Sequence, residues 1–400
     1  MVQIKRFAVE RWMDDHEENA KYNLAETCCA SISLHDLESL SSSSEPHKSI
    51  LDYSQKQVYG AIRGSETLRA NIAALYNGSG KANLTADNVL VTSGAIQANF
   101  LALYTNVGPG DHVICQYPTY QQLYSVPESL GAEVSLWRSN ADDGWRLDLD
   151  ELKALIRPNT KLIIINNPQN PTGAILSHHT LSSIVALARP QSITIHSDEV
   201  YRPLFHSTED HPPSLLDHAY PHSLVTGSMS KAFSLAGIRL GWIASPSPAL
   251  VAACASTRDY TTISVSQLDD AVAAFALSAP VVPNLLARNV ALARANLALL
   301  AAFVAEHGDA VRWARPVAGT TAFVKFVRAG RAVDDVAFCE RLLAKEGVLF
   351  APGSSCFGGG EVFRGYVRIG YVQEKEVMVE GLKALRAFMR DEFAAVPLAE

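Results

Sequence analysis

Between about residue 66 and residue 228, short apolar runs alternate with helical stretches, and four of those runs end in clusters of polar residues. Asn88–Thr92, His112–Gln116, Glu133–Trp137, Lys161–Asn166, Ile193–Ser197 and Ser223–Thr226 read as strands, and several of them are apolar throughout. Thr67–Tyr76, Ala95–Tyr104, Tyr120–Leu130, Asp150–Ile156 and Leu181–Ala188 read as helices. A strand that is apolar on both faces must be covered on both. The alternation therefore predicts an α/β fold, a mostly parallel sheet between layers of helices.

The texture changes after about residue 285. ARNVALARANLALLAAFVAEHG predicts one long helix, TTAFVKF and YVRIGYV predict short strands, and Val377–Phe388 predicts a closing helix. That segment reads as a smaller α+β unit. A chain of 400 residues exceeds one ordinary core. The expected division is an N-terminal arm joining the small domain over 1–50, a large domain over 51–285 and a small C-terminal domain over 286–400. The arm ends in the serine run Ser41–Ser44 with Glu45-Pro46, which predicts a surface loop.

In open α/β sheets, ligands sit beyond the carboxyl ends of the strands. Four strands run into the chemistry-bearing residues of this chain. NVLVT leads to Ser93-Gly94-Ala95 at a helix start, and KLIIIN leads to Asn167-Pro168-Gln169-Asn170-Pro171-Thr172-Gly173. ITIHS leads to Asp198-Glu199-Val200-Tyr201, and SLVT leads to Gly227-Ser228-Met229-Ser230-Lys231. Singly, each has a plain reading: a capped turn, a tight connection, a helix cap, a solvated lysine. Together they suit a group that carries an aldehyde, a phosphate and a ring nitrogen. The free N–H groups of a helix start favour phosphate. A lysine supplies an amine for a Schiff base, and its pKa must fall for it to act as nucleophile and base; Arg239, eight residues on, would help lower it. A buried carboxylate such as Asp198 keeps a ring nitrogen protonated.

At these residues the chain resembles the class I/II aminotransferases, the fold-type I pyridoxal-phosphate enzymes. The likeness rests on VYGAIRGSETLR, VTSGAIQAN, YPTY, NNPQNPTGA, SDEVYRPL, SMSKAFSLAGIRLGW and YVRIGY, in the family's order from about residue 50 to 370. It implies pyridoxal 5'-phosphate bound to Lys231, with Asp198 on the ring nitrogen and Tyr201 and Asn170 on the ring oxygen. It further implies Tyr120 stacked on the ring, and Gly94, Ala95, Ser228, Ser230 and Arg239 around the phosphate. Tyr59 would reach a phosphate in the neighbouring subunit of a homodimer with shared sites. Arg368 would grip the substrate carboxylate, a task suited to a planar fork. The implied reaction moves an amino group between an amino acid and a 2-oxo acid.

One stretch departs from the pattern. Where the family has a glycine lining the substrate pocket, this chain has Asn23-Leu24-Ala25-Glu26-Thr27-Cys28. Glu26 is either a solvated arm residue or a carboxylate aimed at a substrate with a cationic side chain. That stretch and Arg258-Asp259-Tyr260-Thr261-Thr262 also resemble the branch of the family that contains cyclising enzymes such as capreomycidine synthase. The alternative reaction is therefore elimination and ring closure on an amino acid with a leaving group or a cationic side chain.

Other classes fit poorly. A formal charge of -7 without a polybasic run offers nothing to nucleic acid. Apolar runs such as Lys161–Asn166 are too short for a bilayer. The N-terminus lacks the apolar core of a signal peptide, so the expected compartment is the cytoplasm. The six cysteines show no metal-ligand spacing and predict reduced, mostly buried thiols.

Overall fold

The computed structural model describes residues 4–42, 49–78, 82–207 and 211–400. The serine run lies, from Ser43 through Pro46, outside the described residues. After a two-residue strand in the arm, β1 (Tyr22–Asn23), the chain builds one eight-stranded sheet. Its members are β2 (Val89–Thr92), β3 (His112–Tyr117), β4 (Glu133–Asn140), β5 (Arg146–Leu147), β6 (Thr160–Asn166), β7 (Thr194–Asp198), β8 (Ser223–Ser228) and β9 (Gly241–Ala244). The spatial order is β2-β9-β8-β7-β6-β3-β4-β5.

The ladders from β8 through β7, β6 and β3 to β4 are all parallel. Ile163, Ile164 and Ile165 on β6 are fully buried, as an apolar run covered on both faces requires. The strand β9, which the alternation of strand and helix does not announce, pairs antiparallel to both β8 and β2. It turns the chain back between them, so the carboxyl ends of β2, β6, β7 and β8 all open on one edge.

Helix boundaries follow local caps. The helix His178–Ala188 begins three residues before the apolar pattern does, because the Ser177 hydroxyl accepts from the Thr180 N–H. The helix after β3 begins only at Gln122, not at Tyr120. Tyr120 therefore stands in the preceding turn, where its ring can face the edge of the sheet.

A second sheet, in the order β10-β11-β15-β14, is formed by β10 (Val311–Trp313), β11 (Thr321–Arg328), β14 (Ala351–Pro352) and β15 (Tyr366–Gly370). The short β12 (Arg331–Ala332) pairs with β11. The helix Val282–Glu306 is long and apolar enough to cross a membrane by length and composition alone. Here it packs against the helix Lys375–Asp391, and its Asn289 is fully buried and bonded to the Ala232 carbonyl.

The arm is folded against the body and not loose. Its helix Ala8–His16 packs on the helix Gly353–Phe357 and on β14, and the Trp12 indole donates to the Phe350 carbonyl at 2.8 Å. The strand β1 pairs in parallel with β13 (Val348–Leu349). Further on, the Cys29 N–H donates to the Lys231 carbonyl and the Ala30 N–H to the Val372 carbonyl. The arm thus threads between the two sheets.

Candidate active site

A cavity of about 480 Å³ opens at the carboxyl edge of the large sheet. Its floor comes from β7. Asp198 ends that strand beside Asn166 of β6 and Thr226 of β8. Its carboxylate is 3% exposed and accepts from Asn99 Nδ2 at 3.0 Å and from the Val200 N–H at 3.2 Å. Burial pushes the carboxyl up to about 6, against the pull of those two donors. Asn99 cannot turn freely, because its carbonyl accepts from the Thr226 hydroxyl at 2.6 Å. The motifs do not single out Asn99, although it carries a signal. It lies one helical turn from Ala95, a polar residue on a largely apolar helix.

Lys231 follows β8, with Nζ in the cavity. It donates to Thr27 Oγ1 at 2.6 Å and to Cys28 Sγ at 3.3 Å, and it lies 3.8 Å from Glu26 Oε1. The expectation that its pKa falls is not met in this chain without cofactor. Burial lowers it, but Cys28, Glu26 and Tyr201 raise it and prevail. Arg239, invoked to lower it, is turned toward the helix start instead. Burial raises Glu26 in the same way, yet Lys231 and the Thr27 and Cys28 N–H groups outweigh it and hold the carboxyl down at about 2. Glu26 thus lines the cavity wall beside Lys231, with about a third of its side chain exposed.

One end of the cavity is formed by a helix start with an arginine and two serines beside it. Ser93 precedes the helix Gly94–Asn106 without capping it through its side chain, so the first N–H groups stay available. Gly94 has φ +75, and a Cβ there would meet Arg239 Nη2 at 2.9 Å. Arg239 Nη1 donates to the Ala236 carbonyl at 2.8 Å and to Ser230 Oγ at 3.4 Å. Ser228, Ser230 and Ala95 line the same end. Gly241, on β9, passes beneath: a Cβ there would lie 2.4 Å from the Gly94 carbonyl carbon.

The other end holds Arg368, on β15, which is 4% exposed. It donates to the Ala25 carbonyl at 2.9 Å and to Asn170 Oδ1 at 3.4 Å, and its Nε is buried without a partner among the described residues. Tyr120 and Tyr201 line the space between, and burial pushes both phenols up. The Tyr120 hydroxyl donates to Glu10 Oε1 at 2.6 Å. Glu10, with Phe7, Val9 and Met13, brings the arm helix into the wall, a contribution that no motif in the sequence announces.

Of the residues given a role in the site from sequence, Tyr59 lies apart. It is 84% exposed and does not line the cavity. Gly94 sits just behind the lining, at the helix start. The segment Arg258–Thr262 also lies outside. Arg258 is buried and holds the Val91 and Ile62 carbonyls, while Thr261 and Thr262 accept from Gln97.

The donor set fits pyridoxal phosphate. An uncapped helix start with an arginine and two serines suits its phosphate, a buried carboxyl suits its ring nitrogen, and a lysine amine suits its aldehyde. The space that a Gly94 Cβ would fill is what lets the guanidinium approach those N–H groups.

Comparison with known proteins agrees. The family described as aminotransferase class I and II matches residues 36–385. The chain is 31% identical over 328 residues to capreomycidine synthase of Streptomyces vinaceus, covering 82% of this chain and 79% of that one. It is 29% identical over 331 residues to an arginine–pyruvate transaminase of Pseudomonas aeruginosa, covering 82% and 81%. Among solved structures, a PLP-dependent aminotransferase from Streptococcus suis superposes with a TM-score of 0.87 at 38% identity, over 97% of this chain and 98% of that one. On fold, cavity and sequence alike, the chain belongs to the aminotransferase class I and II family.

Proposed function

We propose that this pyridoxal-phosphate aminotransferase is a cytoplasmic homodimer in which Lys231 carries the cofactor and moves the proton at the substrate's Cα. The observation that carries the reading is the placement of Lys231, Asp198 and Arg368 around one cavity. When bound, the cofactor supplies a conjugated ring that accepts the electron pair left by the broken Cα–H bond. Asp198 holds the proton on the ring nitrogen, and Asn170 and Tyr201 serve the ring oxygen. Tyr120 stacks on the ring, and the Gly94–Ala95 helix start, Ser228, Ser230 and Arg239 hold the phosphate. Arg368 binds the substrate carboxylate, which keeps CO2 on the substrate and turns the Cα hydrogen toward Lys231. The division into arm (1–50), large domain (51–285) and small domain (286–400) accompanies this reading.

The dimer reading draws on large apolar side chains left exposed in a single chain. Tyr53, Tyr59, Ile62, Tyr104 and Tyr260 are each more than half exposed, and Phe100 stacks on Tyr104. Exposed apolar side chains that cluster on a surface mark association sites. Tyr59, one of these, would complete the phosphate site of the other subunit. Six unpaired cysteines, five of them buried, suit a reducing compartment.

A second reading is favoured by the likeness to capreomycidine synthase and by the ionised Glu26. Elimination with ring closure begins with the same loss of the Cα proton to Lys231. Turnover of the best substrate with and without a 2-oxo acid separates the two. Amino-group transfer stops without the acceptor. Sustained turnover without it, giving an eliminated or ring-closed product by mass, would establish the cyclase instead.

A further inference from the structure

Among the described residues, six charged side chains face the cavity: Lys231, Arg239, Arg368, Glu10, Glu26 and Asp198. The proposed function gives four of them a counterpart. Arg239 meets the phosphate, Asp198 the ring nitrogen, Lys231 the aldehyde and Arg368 the substrate carboxylate. Two carboxylates remain. Glu26 faces Lys231 at 3.8 Å, an amine that the proposed function already assigns to the cofactor. Glu10 accepts from an uncharged phenol. Glu10 stands exposed at the cavity mouth and Glu26 is about one-third exposed further in, so a cation carried by the ligand could pair with both.

Both stand at the substrate end. The residue before Glu26 gives its carbonyl to Arg368 Nη2 at 2.9 Å. Glu10 accepts from the Tyr120 hydroxyl at 2.6 Å, and both Glu10 and Arg368 act on that phenol and on the Cys356 thiol. Phe7, Val9 and Met13 line the wall beside Glu10 and offer an apolar path for the methylene stem of a long cationic side chain.

Given an aminotransferase site of that layout, we infer that Glu10 and Glu26 form the side-chain subsite of this enzyme. Its amino-acid substrate then carries a guanidinium or ammonium group, and the arm-borne Glu10 sets the selectivity. Glu26 lies deeper, beside Lys231, and Glu10 closes the mouth. The arm helix, pinned by Tyr120 and by the Trp12 bond to Phe350, is then a specificity element and not only packing.

The test uses the purified holoenzyme with one 2-oxo acid acceptor and compares arginine, leucine and aspartate by kcat/KM. Arginine should be preferred over leucine by at least about tenfold, the factor given by one well-placed charge pair. Glu10→Gln keeps an oxygen for the Tyr120 hydroxyl and removes the charge. It should lower the arginine-to-leucine ratio by about tenfold, mainly through KM. A merely structural role for Glu10 would lower both substrates together and leave the ratio alone, which would overturn the assignment. So would an enzyme that transaminates leucine or aspartate in preference to arginine, while amino-group transfer itself would stand. If no amino acid supports acceptor-dependent turnover, the underlying reading fails. The dissociation constant of arginine on borohydride-fixed enzyme, by calorimetry with and without Glu10→Gln, then still decides the subsite: binding that weakens in the variant upholds it, and equal binding sinks it.

Discussion

Lys231 Nζ donates to Thr27 Oγ1 at 2.6 Å, across 204 residues of chain. The bond joins the loop after β8 to the arm segment that threads between the two sheets. Tyr201 lies beside the same Thr27 side chain. The arm therefore holds the amine in the cavity from the side opposite the sheet, and the lysine is oriented before any ligand arrives.

Replacing that amine should remove both the covalent link and the base. Lys231→Ala is expected to bind pyridoxal phosphate without a borohydride-trappable bond, and to lose activity by about 10⁴-fold, as the loss of a general base in a dry site does. Mass spectrometry of the reduced protein is the check. Cofactor still fixed to the Ala variant by borohydride would show that another residue carries it.

Tyr59 yields a prediction about the assembly. It is exposed in one chain, away from its own cavity, which is where a residue serving a neighbour would stand. Tyr59→Phe and Lys231→Ala chains, each with an impaired site, should complement on mixing. A hybrid dimer has one site with both residues intact, so about a quarter of wild-type activity should return, half the dimers being hybrids with one working site each. A fully active monomer in sedimentation would refute the shared site.

The legible parts of this site were those set by sheet direction. Asp198, Asn170, Lys231 and Gly94 each follow an apolar strand, and parallel strands must bring those ends to one edge. The antiparallel β9 was not legible, because a four-residue run such as GWIA carries no sign of its direction. Nor were Phe7, Glu10 and Met13. They reach the cavity only because the arm helix docks on β14 and on Tyr120, more than 100 residues away, and local pattern says nothing of such a dock. Glu26 stood out by its departure from the family's pattern, but its ionisation depends on Lys231 and two N–H groups that only the folded chain brings to it.

Gly94 tests the phosphate end. Its φ of +75 is unfavourable for any residue with a Cβ, and the added carbon would press on Arg239 Nη2 at 2.9 Å. Gly94→Ala should cost about 1–2 kcal/mol of stability from backbone strain. It should also weaken cofactor binding, because the guanidinium must withdraw from the helix start. Fluorescence titration of the apo variant with pyridoxal phosphate, beside inorganic phosphate as a competitor, measures this. Unchanged affinity for both would remove Gly94 from the phosphate end.

Asp198 links function to pH through stability. Burial raises its carboxyl from an ordinary 3.8 to about 6 in the chain without cofactor. Because the folded value lies above the unfolded one, the folded apo protein binds the extra proton between those two values. Its contribution to stability is full below about 4, is lost as pH rises to about 6, and stays lost at neutral pH. A buried charge without a counter-ion is the cause, and the cofactor's protonated ring nitrogen is the counter-ion that relieves it. Asp198→Asn removes the charge and keeps an oxygen for the Val200 N–H, although its amide meets Asn99 Nδ2 less well than a carboxylate does. At pH 8 the apo variant should therefore be more stable than the apo wild type by about 1–2 kcal/mol, a part of the ~1.4 kcal/mol per unit that the raised value implies. At pH 4, where the wild-type carboxyl is already protonated, the advantage should vanish. The holo proteins should reverse the order, since the variant lacks the charge that pairs with the ring nitrogen and should also lose most of its rate. Thermal melts of both proteins at pH 4 and pH 8, with and without cofactor, give four comparisons. An apo variant less stable than wild type at pH 8 would mean that Asp198 is held by structural bonds and not kept ready for a cation.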